Sequence, residues 1–302
     1  MHAEGWASRA CSDPIILVID FSKIEGEEKA KTLAHIAHCC EEWGFFQLIN
    51  HGISEELLER VKEVASECYK LEREPGFKNS KPVKLLNELV ENKSSEKLEN
   101  VDWEDVFLLS DDNNGEETMK EYRAELRKLV HKVMEVMDEN LGLPKGYIKK
   151  AFNSGEEDNA AFFGTKVSHY PPCPHPEKAN GLRAHTDAGG VILLFQDDEP
   201  LKNTIVINTG DQIGVLSNGR YKSAWHRVLA MPDGNRRSIA SFYNPSLKGT
   251  IEPAPELLVK KVEKEEENMA KYPKFVFGDY LSVYVGQKFL PKEPRFQAVK
   301  AM

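Results

Sequence analysis

The feature that most constrains the fold is a series of short β-rich segments that begins at Gly164. The segments are GTKVSHY, GGVILLF, NTIVINTGD, GRYKSAWHRVLA and RRSIASFYN, and Gly, Pro and Asn turns separate them. Several short strands with turn residues between them are typical of an all-β sandwich or barrel. The sequence therefore predicts a mainly β core in this half of the chain.

The residues before Gly164 follow a different pattern, in which strands alternate with helices. Strands are predicted at Pro14–Phe21 and Phe45–Ser54, each followed by an amphipathic helix, and a further strand in VDWEDVFLL. A long helix is predicted from about Glu116 to Asn140, and Pro75–Asn100 is predicted to be mostly a loop with a weak helix. We expect these helices to buttress the β core.

Composition and charge exclude several classes of function. The chain has 302 residues, with 40 Lys and Arg against 49 Asp and Glu, a net charge of -9 and no Lys/Arg cluster. We therefore expect no nucleic-acid partner. No apolar run approaches the roughly 18 residues of a membrane span, and the first residues lack the apolar stretch of a signal peptide, so we expect a cytoplasmic protein.

The five cysteines argue against both a disulfide framework and a zinc finger. Their number is odd, and none of them forms a Cys-x-x-Cys pair. We expect them to be reduced thiols.

Three charged or titratable side chains precede the apolar run Val191–Phe195 at intervals of two residues. They are Arg183, His185 and Asp187 in GLRAHTDAGGVILLFQDD. In an extended chain residues i and i+2 point to the same side, so we expect all three to share one face. A His-x-Asp pair also arises by chance, and a surface or hydrogen-bonded core histidine explains it equally well. A third ligand is needed to decide for a metal.

His226 in YKSAWHRVLA is the best candidate for that ligand, because it lies in a later predicted strand among apolar neighbours. Two imidazoles and one carboxylate make the facial triad of non-haem Fe(II) oxygenases, which leaves positions open for substrate and O2. The remaining candidates are expected to be structural: His35, His38, His51, His131 and His169.

Two further sets of polar residues indicate an anion-binding pocket. Arg236 and Ser238 lie two apart in RRSIASFYN, and Arg binds carboxylates through two hydrogen bonds. Lys166, Ser168 and Tyr170 alternate in the same way along GTKVSHY. Together with the metal ligands, these donors predict a substrate that carries a carboxylate.

These segments resemble a known family over Pro14–Val299. Together with EEWGFFQLINHGI, ENLGLPKGYIKKAF, YPKFVFGDY and KFLPKEPRF, they resemble the plant Fe(II)/2-oxoglutarate-dependent oxygenase superfamily. The Arg in GLRAHTDAGG and the FGTKVS before YPPCP are similar to its ethylene-forming branch, the 1-aminocyclopropane-1-carboxylate oxidase family.

The resemblance implies a mainly β fold with flanking helices (α+β). This fold is a double-stranded β-helix, or jelly roll, with an N-terminal α/β buttress and a C-terminal helix. The implied regions are residues 14–125 for the N-terminal dioxygenase-type part, 160–255 for the jelly-roll core and 256–302 for the C-terminal helical extension.

The resemblance also implies an activity and the residues that carry it. The activity is Fe(II)- and ascorbate-dependent oxidation of 1-aminocyclopropane-1-carboxylate to ethylene, CO2 and cyanide, with O2 as co-substrate and bicarbonate or CO2 as activator. His185, Asp187 and His226 would hold the iron. The other implied residues are Lys166, Arg183 and Arg236 for catalysis, and Arg236, Ser238, Tyr170, Lys288 and Arg295 for the co-substrates.

One departure from the family keeps two alternatives open. Members of the family carry a strand hairpin after the LLFQDD segment, whereas this chain continues from Asp198 directly through EPLKNTIVINTGD. We expect this loss to expose a strand edge, to shift the strand that carries His226 or to prevent folding. The alternatives are a 2-oxoglutarate-dependent oxygenase of another small plant metabolite, and a catalytically impaired dioxygenase-like protein. The sequence does not indicate the oligomeric state.

Overall fold

The structure is a computed structural model that describes residues 16–69, 73–109, 117–155, 161–196, 203–258 and 270–302. Two sequence predictions lie outside these residues: the first part of the strand predicted from Pro14, and most of the Lys/Glu-rich helix predicted after Pro253.

The helices lie mainly in the N-terminal part and at the C-terminal end of the chain. Within the described residues they are α1 (Lys29–Glu42), α2 (Glu55–Cys68), α3 (Glu74–Phe77), α4 (Lys81–Glu91), α5 (Glu117–Leu141), α6 (Tyr147–Phe152), α7 (Asp211–Leu216), α8 (Phe277–Gln287) and α9 (Glu293–Lys300).

The strands form one large sheet and two pairs. They are β1 (Val18–Asp20), β2 (Phe45–Ile49), β3 (Asp105–Leu109), β4 (Phe162–Tyr170), β5 (Asn180–His185), β6 (Val191–Gln196), β7 (Ile205–Thr209), β8 (His226–Leu229), β9 (Arg236–Asn244), β10 (Thr250–Ile251) and β11 (Phe275–Val276). The large sheet has the order β1-β2-β7-β6-β9-β4-β3, and β5 pairs with β8 and β10 with β11.

The long helix α5 covers one face of the large sheet, as the sequence predicts. Its apolar residues recur at helical spacing and are buried in the main core: Met119, Tyr122, Leu126, Leu129, Val133 and Val136. Gly44 ends α1. Gly44 has φ +70° and donates its N–H to the carbonyl of Cys39 at 2.8 Å, which is a left-handed cap that glycine adopts without steric cost.

The loop predicted for Pro75–Asn100 is wrong, because α3 and α4 occupy much of it. Pro82 stands in the first turn of α4, where a missing N–H costs nothing. Leu86 packs in a second small core with Phe77 and Trp103. The apolar residues of α4 do recur at helical spacing, but the many lysines around them obscure the pattern.

The strands β6 and β7 are direct neighbours in the large sheet, with Val191 opposite Thr209 and Phe195 opposite Ile205. The chain therefore closes the sheet without the hairpin that is absent after Asp198. Among the described strands, β5 and β8 pair only with each other, so each of them leaves one edge unpaired. The predicted strand in GRYKSAWHRVLA is shorter than expected, since only His226–Leu229 is extended.

The three regions predicted from the sequence share one main core, and the first two also share the large sheet. Strands β1 and β2 come from the first region but belong to the same sheet as β4, β6, β7 and β9. The boundaries at residues 125, 160 and 255 therefore stay a sequence-based division. Among the described helices, none combines the length and the apolar character needed to cross a membrane.

Candidate active site

The three predicted metal ligands come together where β5 ends and β8 begins. His185 is the last residue of β5 and His226 the first of β8, and the two are directly paired across the strands. Their ring centroids lie 4.4 Å apart. Asp187 follows two residues after β5, and one donor atom from each of the three side chains lies within 4.8 Å of the others. Sequence reasoning had located this cluster correctly.

The hydrogen bonds of both imidazoles fix the nitrogen that faces the cluster. Nδ1 of His185 lies 2.9 Å from the carbonyl oxygen of Arg183, and Nδ1 of His226 lies 3.1 Å from that of Ala224. A carbonyl can only accept, so each Nδ1 carries the proton and each Nε2 presents a lone pair. These Nε2 atoms lie 3.8 and 3.6 Å from the two carboxylate oxygens of Asp187.

The residues present fit a divalent metal ion such as Fe(II). Two imidazole lone pairs and one carboxylate converge, and the second nitrogen of each imidazole is held by the backbone, as is usual for metal-ligating histidines. Burial and the neighbouring His226 lower the pKa of His185 to about 4, so its imidazole is neutral at pH 7. Metal ions bind the neutral form.

Asn208 on β7 orients the carboxylate of Asp187. Its Nδ2 donates to Oδ2 of Asp187 at 2.8 Å, and both residues are buried. Sequence reasoning missed Asn208, although it alternates with the apolar residues of β7 and so shares the face of Val206 that lines the cavity.

A buried network beneath the cluster holds Thr186, the residue between two of the ligands. Its hydroxyl donates to Oδ2 of Asp211 at 3.2 Å and accepts from Nη1 of Arg295 at 3.0 Å. Its carbonyl accepts from the hydroxyl of Tyr284 at 2.7 Å, and Tyr280 donates to the same oxygen of Asp211 at 2.6 Å. The turn that carries His185 and Asp187 is therefore fastened to the C-terminal helices α8 and α9.

Arg295 was predicted to bind a co-substrate, and the structure corrects this. The side chain is fully buried and does not line the cavity. Besides its contact with Thr186, its Nη2 donates to the carbonyls of Lys288 and Leu290 at 3.0 and 2.7 Å. Arg295 thus joins the metal-ligand turn to the segment after α8. The segment KFLPKEPRF, which contains Arg295, was recognised in the sequence, but the complete burial of the side chain was not predicted.

The predicted alternation of Lys166, Ser168 and Tyr170 brings all three to the cavity wall. Nζ of Lys166 donates to Oε1 of Glu104 at 2.7 Å, and the hydroxyl of Tyr170 donates to the same oxygen at 2.6 Å. Glu104 is only 8% exposed and was not anticipated. It stands immediately before β3 in VDWEDVFLL, where no local pattern of the sequence marks it.

Arg236 and Ser238 also line the cavity, as expected from their spacing. Nε of Arg236 donates to Oε1 of Gln196 at 2.6 Å, and the guanidinium lies 5.0 Å from the ring centroid of Tyr170. Its Nη1 is buried and finds no hydrogen-bond partner among the residues that the structure describes. A buried guanidinium nitrogen without a partner fits an anionic ligand.

Arg183 does not line the cavity. Its Nε donates to Oδ1 of Asp102 at 3.0 Å, and its guanidinium lies 3.8 Å from the ring centroid of Phe289. His185 contacts the same ring, with centroids 6.2 Å apart, so the two side chains do project to the same side of β5. The carboxylate of Asp102 occupies the position that the sequence had suggested for an anionic ligand.

Lys288 lines the cavity at the end of α8. Burial and the nearby ammonium of Lys166 lower its pKa, while the carboxylates of Asp187, Glu104 and Asp102 act in the opposite direction. Its Nζ lies 5.2 Å from the ring centroid of Phe289.

The histidines outside the cluster have structural contacts or lie on the surface. His51 bonds to the carbonyl of Asn203 at 2.9 Å, and His131 bonds to the hydroxyl of Tyr243 at 3.1 Å. The ring of His169 packs against Tyr69, outside the cavity. His35 and His38 are exposed on α1.

Comparisons with known proteins agree with this geometry. Residues 16–132 match the pattern described as non-haem dioxygenase in morphine synthesis N-terminal, and residues 162–245 match the 2OG-Fe(II) oxygenase superfamily. A relative from Arabidopsis thaliana called 1-aminocyclopropane-1-carboxylate oxidase 5 is 68% identical over 311 residues, which cover 95% of this chain and 99% of the relative. The chain belongs to the 1-aminocyclopropane-1-carboxylate oxidase family. A Musa acuminata member is 63% identical, with the same shares of both chains covered.

Solved structures confirm the jelly-roll fold of this oxidase-family chain. The crystal structure of JOX2 in complex with 2OG, Fe and JA has a TM-score of 0.74 and 28% identity, and covers 94% of this chain and 88% of JOX2. The crystal structure of the dioxygenase for auxin oxidation in rice has a TM-score of 0.69 at 20% identity. It covers 95% of this chain and 99% of the rice protein, and shows the fold alone.

The alignment with the Arabidopsis oxidase is longer than the part of this chain that it covers. It spans 311 positions, whereas 95% of this 302-residue chain is about 287 residues, so about 24 aligned positions have no counterpart here. A two-stranded hairpin needs a similar number of residues, because strands average about 5–6 residues and their turns and connections add the rest.

Proposed function

We propose that this protein oxidises 1-aminocyclopropane-1-carboxylate to ethylene, CO2 and cyanide, and that the amino acid and ascorbate each supply two of the four electrons that reduce O2 to two molecules of water. The observation that carries the proposal is the convergence of His185, Asp187 and His226 within 4.8 Å, with both Nε2 lone pairs facing the carboxylate. The 68% identity to a named 1-aminocyclopropane-1-carboxylate oxidase supports the choice of substrate.

His185, Asp187 and His226 would hold Fe(II), which supplies the site for binding the amino acid and activating O2. Three protein ligands on one face leave the opposite face open to the cavity. Asn208 keeps the carboxylate of Asp187 pointed at the imidazoles. Tyr284 and Arg295 hold the intervening Thr186, so hydrogen bonds within the protein position the turn that carries His185 and Asp187.

The cationic side chains of the cavity would bind the carboxylate of the amino acid and the acidic co-reactants. Lys166 and Lys288 line one part of the wall, and Arg236 with Ser238 lines another. Glu104 holds both the ammonium of Lys166 and the hydroxyl of Tyr170, so it fixes the direction of these two donors. We assign ascorbate or bicarbonate to Arg236 and Ser238, because Nη1 of Arg236 is buried and available.

We assign positioning roles to two arginines. Arg183 donates a hydrogen bond to Asp102 and packs its guanidinium on the ring of Phe289, and that ring also contacts His185. Arg295 ties the turn between the ligands to Lys288. Each acts on the reaction through another residue rather than by touching the substrate.

A second candidate function is supported by the pair Arg236 and Ser238. A guanidinium and a hydroxyl on one strand face suit the distal carboxylate of 2-oxoglutarate, and the similar JOX2 structure contains 2OG. In that case the protein would couple the oxidation of another small metabolite to the decarboxylation of 2-oxoglutarate.

Two assays of the purified protein separate these functions: one contains Fe(II), ascorbate, bicarbonate and 1-aminocyclopropane-1-carboxylate, and the other contains Fe(II), ascorbate and 2-oxoglutarate. Ethylene that appears only when ascorbate and iron are present supports the first proposal. Succinate formed from 2-oxoglutarate, without ethylene, supports the second. A folded protein that binds Fe(II) but forms neither ethylene nor succinate supports the remaining alternative, a catalytically impaired dioxygenase-like protein that lacks the hairpin.

A further inference from the structure

The inner face of the large sheet is less well covered than its outer face. On β9 the outward residues Ile239, Ser241 and Tyr243 are buried under the helices, whereas Ala240 and Phe242 on the inner face are only half-buried. An apolar sheet face normally packs against another layer. Here that layer is the two-stranded pair β5–β8, and the uncovered part borders an open cavity.

The cavity measures about 1020 Å³ and contains the metal-ligand cluster in its wall. Cavities that hold drug-sized ligands run to about 300–1,000 Å³, so this one is at the upper end of that range. Two tryptophans stand at its rim, Trp43 with 48% and Trp225 with 44% of their surface exposed. A four-carbon amino acid would leave most of this volume to water.

The apolar residues of the cavity floor form a continuous surface across three strands. Leu194 on β6 lies opposite Val206 on β7 and Ala240 on β9. The next inward row contains Ile192 opposite Phe242. All five side chains line the cavity. Ile192 and Val206 are already almost fully buried, so the area open to an apolar ligand belongs to the half-buried Leu194, Ala240 and Phe242, and burying it is favourable.

The anion-binding end continues the same strand face. On β9 the residues Arg236, Ser238, Ala240 and Phe242 follow at intervals of two, so the guanidinium and hydroxyl stand at one end and the apolar side chains at the other. A ligand that lies along β9 therefore meets a cation first and an apolar floor after it.

The charges around the cavity favour an anionic ligand. Among the residues that the structure describes, five cationic side chains line it, against two carboxylates, and one of the five, Lys166, is paired with Glu104 beside the cavity. The cations are Lys166, Lys222, Arg227, Arg236 and Lys288, and the carboxylates are Glu42 and Asp187. Asp187 belongs to the metal cluster, and Glu42 accepts from Lys222 at the rim.

We propose that the cavity binds medium-chain carboxylates, with the carboxylate on Arg236 and Ser238 and the alkyl chain along Leu194, Val206, Ile192 and Phe242. Such ligands compete with the co-reactants for Arg236 and extend over the part of the floor that a small amino acid leaves open. The inference rests on the proposed function for the identity of the site, but its test needs no turnover.

The test is calorimetric titration of the Fe(II)-loaded protein without O2, using the straight-chain carboxylates from butanoate to decanoate below their micelle concentrations. Each added methylene is expected to raise affinity about two- to fourfold up to octanoate, because it buries a further CH2 group on the floor. Octanol, which has the same chain but no charge, is expected to bind at least about tenfold more weakly than octanoate.

Three variants separate the two parts of the site. Arg236→Gln is expected to lower the affinity for octanoate about tenfold and to leave the affinity for octanol unchanged. Leu194→Trp fills the floor, so it should abolish the gain in affinity beyond butanoate. Val285→Trp is the matched control, since Val285 is 75% exposed on α8 outside the cavity, and it should bind the whole series as the parent does. Thermal unfolding and Fe(II) binding verify that each variant is folded.

Affinity that does not change with chain length, or octanol binding as tightly as octanoate, overturns the inference. So does a Leu194→Trp protein that is folded and keeps the full chain-length dependence. Ethylene production with no octanoate binding would reject this inference and leave the proposed function standing. Octanoate binding without ethylene production would reject the proposed function and leave this inference standing.

Discussion

His226 lies directly opposite His185 across the strand pair β5–β8, and the backbone carbonyls two residues before each of them hold their Nδ1 atoms. The register of two short strands therefore sets the distance between the two imidazoles. This arrangement survives although β8 pairs only with β5 among the described strands. The metal site depends on this local pairing more than on a complete second sheet.

The division of roles between metal ligands and anion-binding residues leads to the first prediction. His185→Ala is expected to lower Fe(II) affinity by more than about a hundredfold, since even supporting residues around metal ligands account for about 10–100-fold. Arg236→Ala should leave Fe(II) affinity unchanged and weaken the co-substrate. Anaerobic Fe(II) titration measures both. Loss of iron in both variants would refute the division.

Asn208 supplies a second prediction, because its amide donates to the carboxylate of Asp187. Asn208→Ala should lower Fe(II) affinity about 10–100-fold and leave the carboxylate free to turn. Asn218→Ala is a suitable control, since Asn218 is also a buried asparagine but bonds to the backbone of Lys271 instead. Equal losses of iron in the two variants would mean that the effect is only one of stability.

The cluster of Glu104, Lys166 and Lys288 predicts a pH effect. Burial and Lys166 lower the pKa of Lys288, whereas Glu104 raises it. If the Lys288 ammonium binds the anionic reactants, activity falls as pH rises through this lowered pKa. Glu104→Gln removes a negative charge, so it should move the alkaline decline to lower pH. Lys166→Met removes a positive charge and should move it to higher pH.

The pH profile of kcat/KM for ethylene formation checks this pair of shifts. Glu104→Gln also replaces the carboxylate that Lys166 and Tyr170 share by a neutral amide oxygen, which holds the two donors more weakly, so KM should rise about tenfold while Fe(II) affinity stays the same. Shifts of both variants in the same direction would contradict the electrostatic explanation.

The buried pair of Arg295 and Asp211 predicts a stability effect. Their atoms lie 3.4 Å apart and both side chains are inaccessible to solvent. Arg295→Met should lower the free energy of unfolding by about 3–5 kcal/mol, because it leaves a buried carboxylate without its cation. Adding Asp211→Leu should recover part of that loss. Denaturant unfolding of the two variants measures it, and an additive double variant would show that the two residues do not interact.

Much of the active site follows from the sequence because its spacing has a simple structural meaning. Residues two apart in a strand share a face, which correctly placed Lys166, Ser168 and Tyr170, and also Arg236 and Ser238, on the cavity wall. The metal cluster was found in the same way.

Residues that act across the fold were harder to find. Glu104 and Asn208 contact the site through strand pairing that joins distant segments, so no local pattern marks them. Arg295 looked like a ligand-binding cation, but tertiary packing buries it completely beneath Thr186. Arg183 was expected to face a ligand, but its guanidinium forms an ion pair with Asp102 instead. Side-chain charge alone does not tell a binding residue from a positioning residue.

The effect of the missing hairpin also required the structure. The sequence indicated that a strand edge would be exposed or that His226 would move. In the structure β6 and β7 pair directly, and His226 lies opposite His185. The pair β5–β8 covers part of the inner face of the large sheet, on which Ala240 and Phe242 are half-buried. The exposed edge and the shift of His226 stay predictions.

Gas chromatography of ethylene tests the central claim most directly. The purified protein is incubated with Fe(II), ascorbate, bicarbonate and 1-aminocyclopropane-1-carboxylate, beside a His226→Ala control. We predict ethylene that requires both ascorbate and iron in the parent protein and is absent in the control. A folded parent protein that binds Fe(II) and yet forms no more ethylene than His226→Ala would contradict the account.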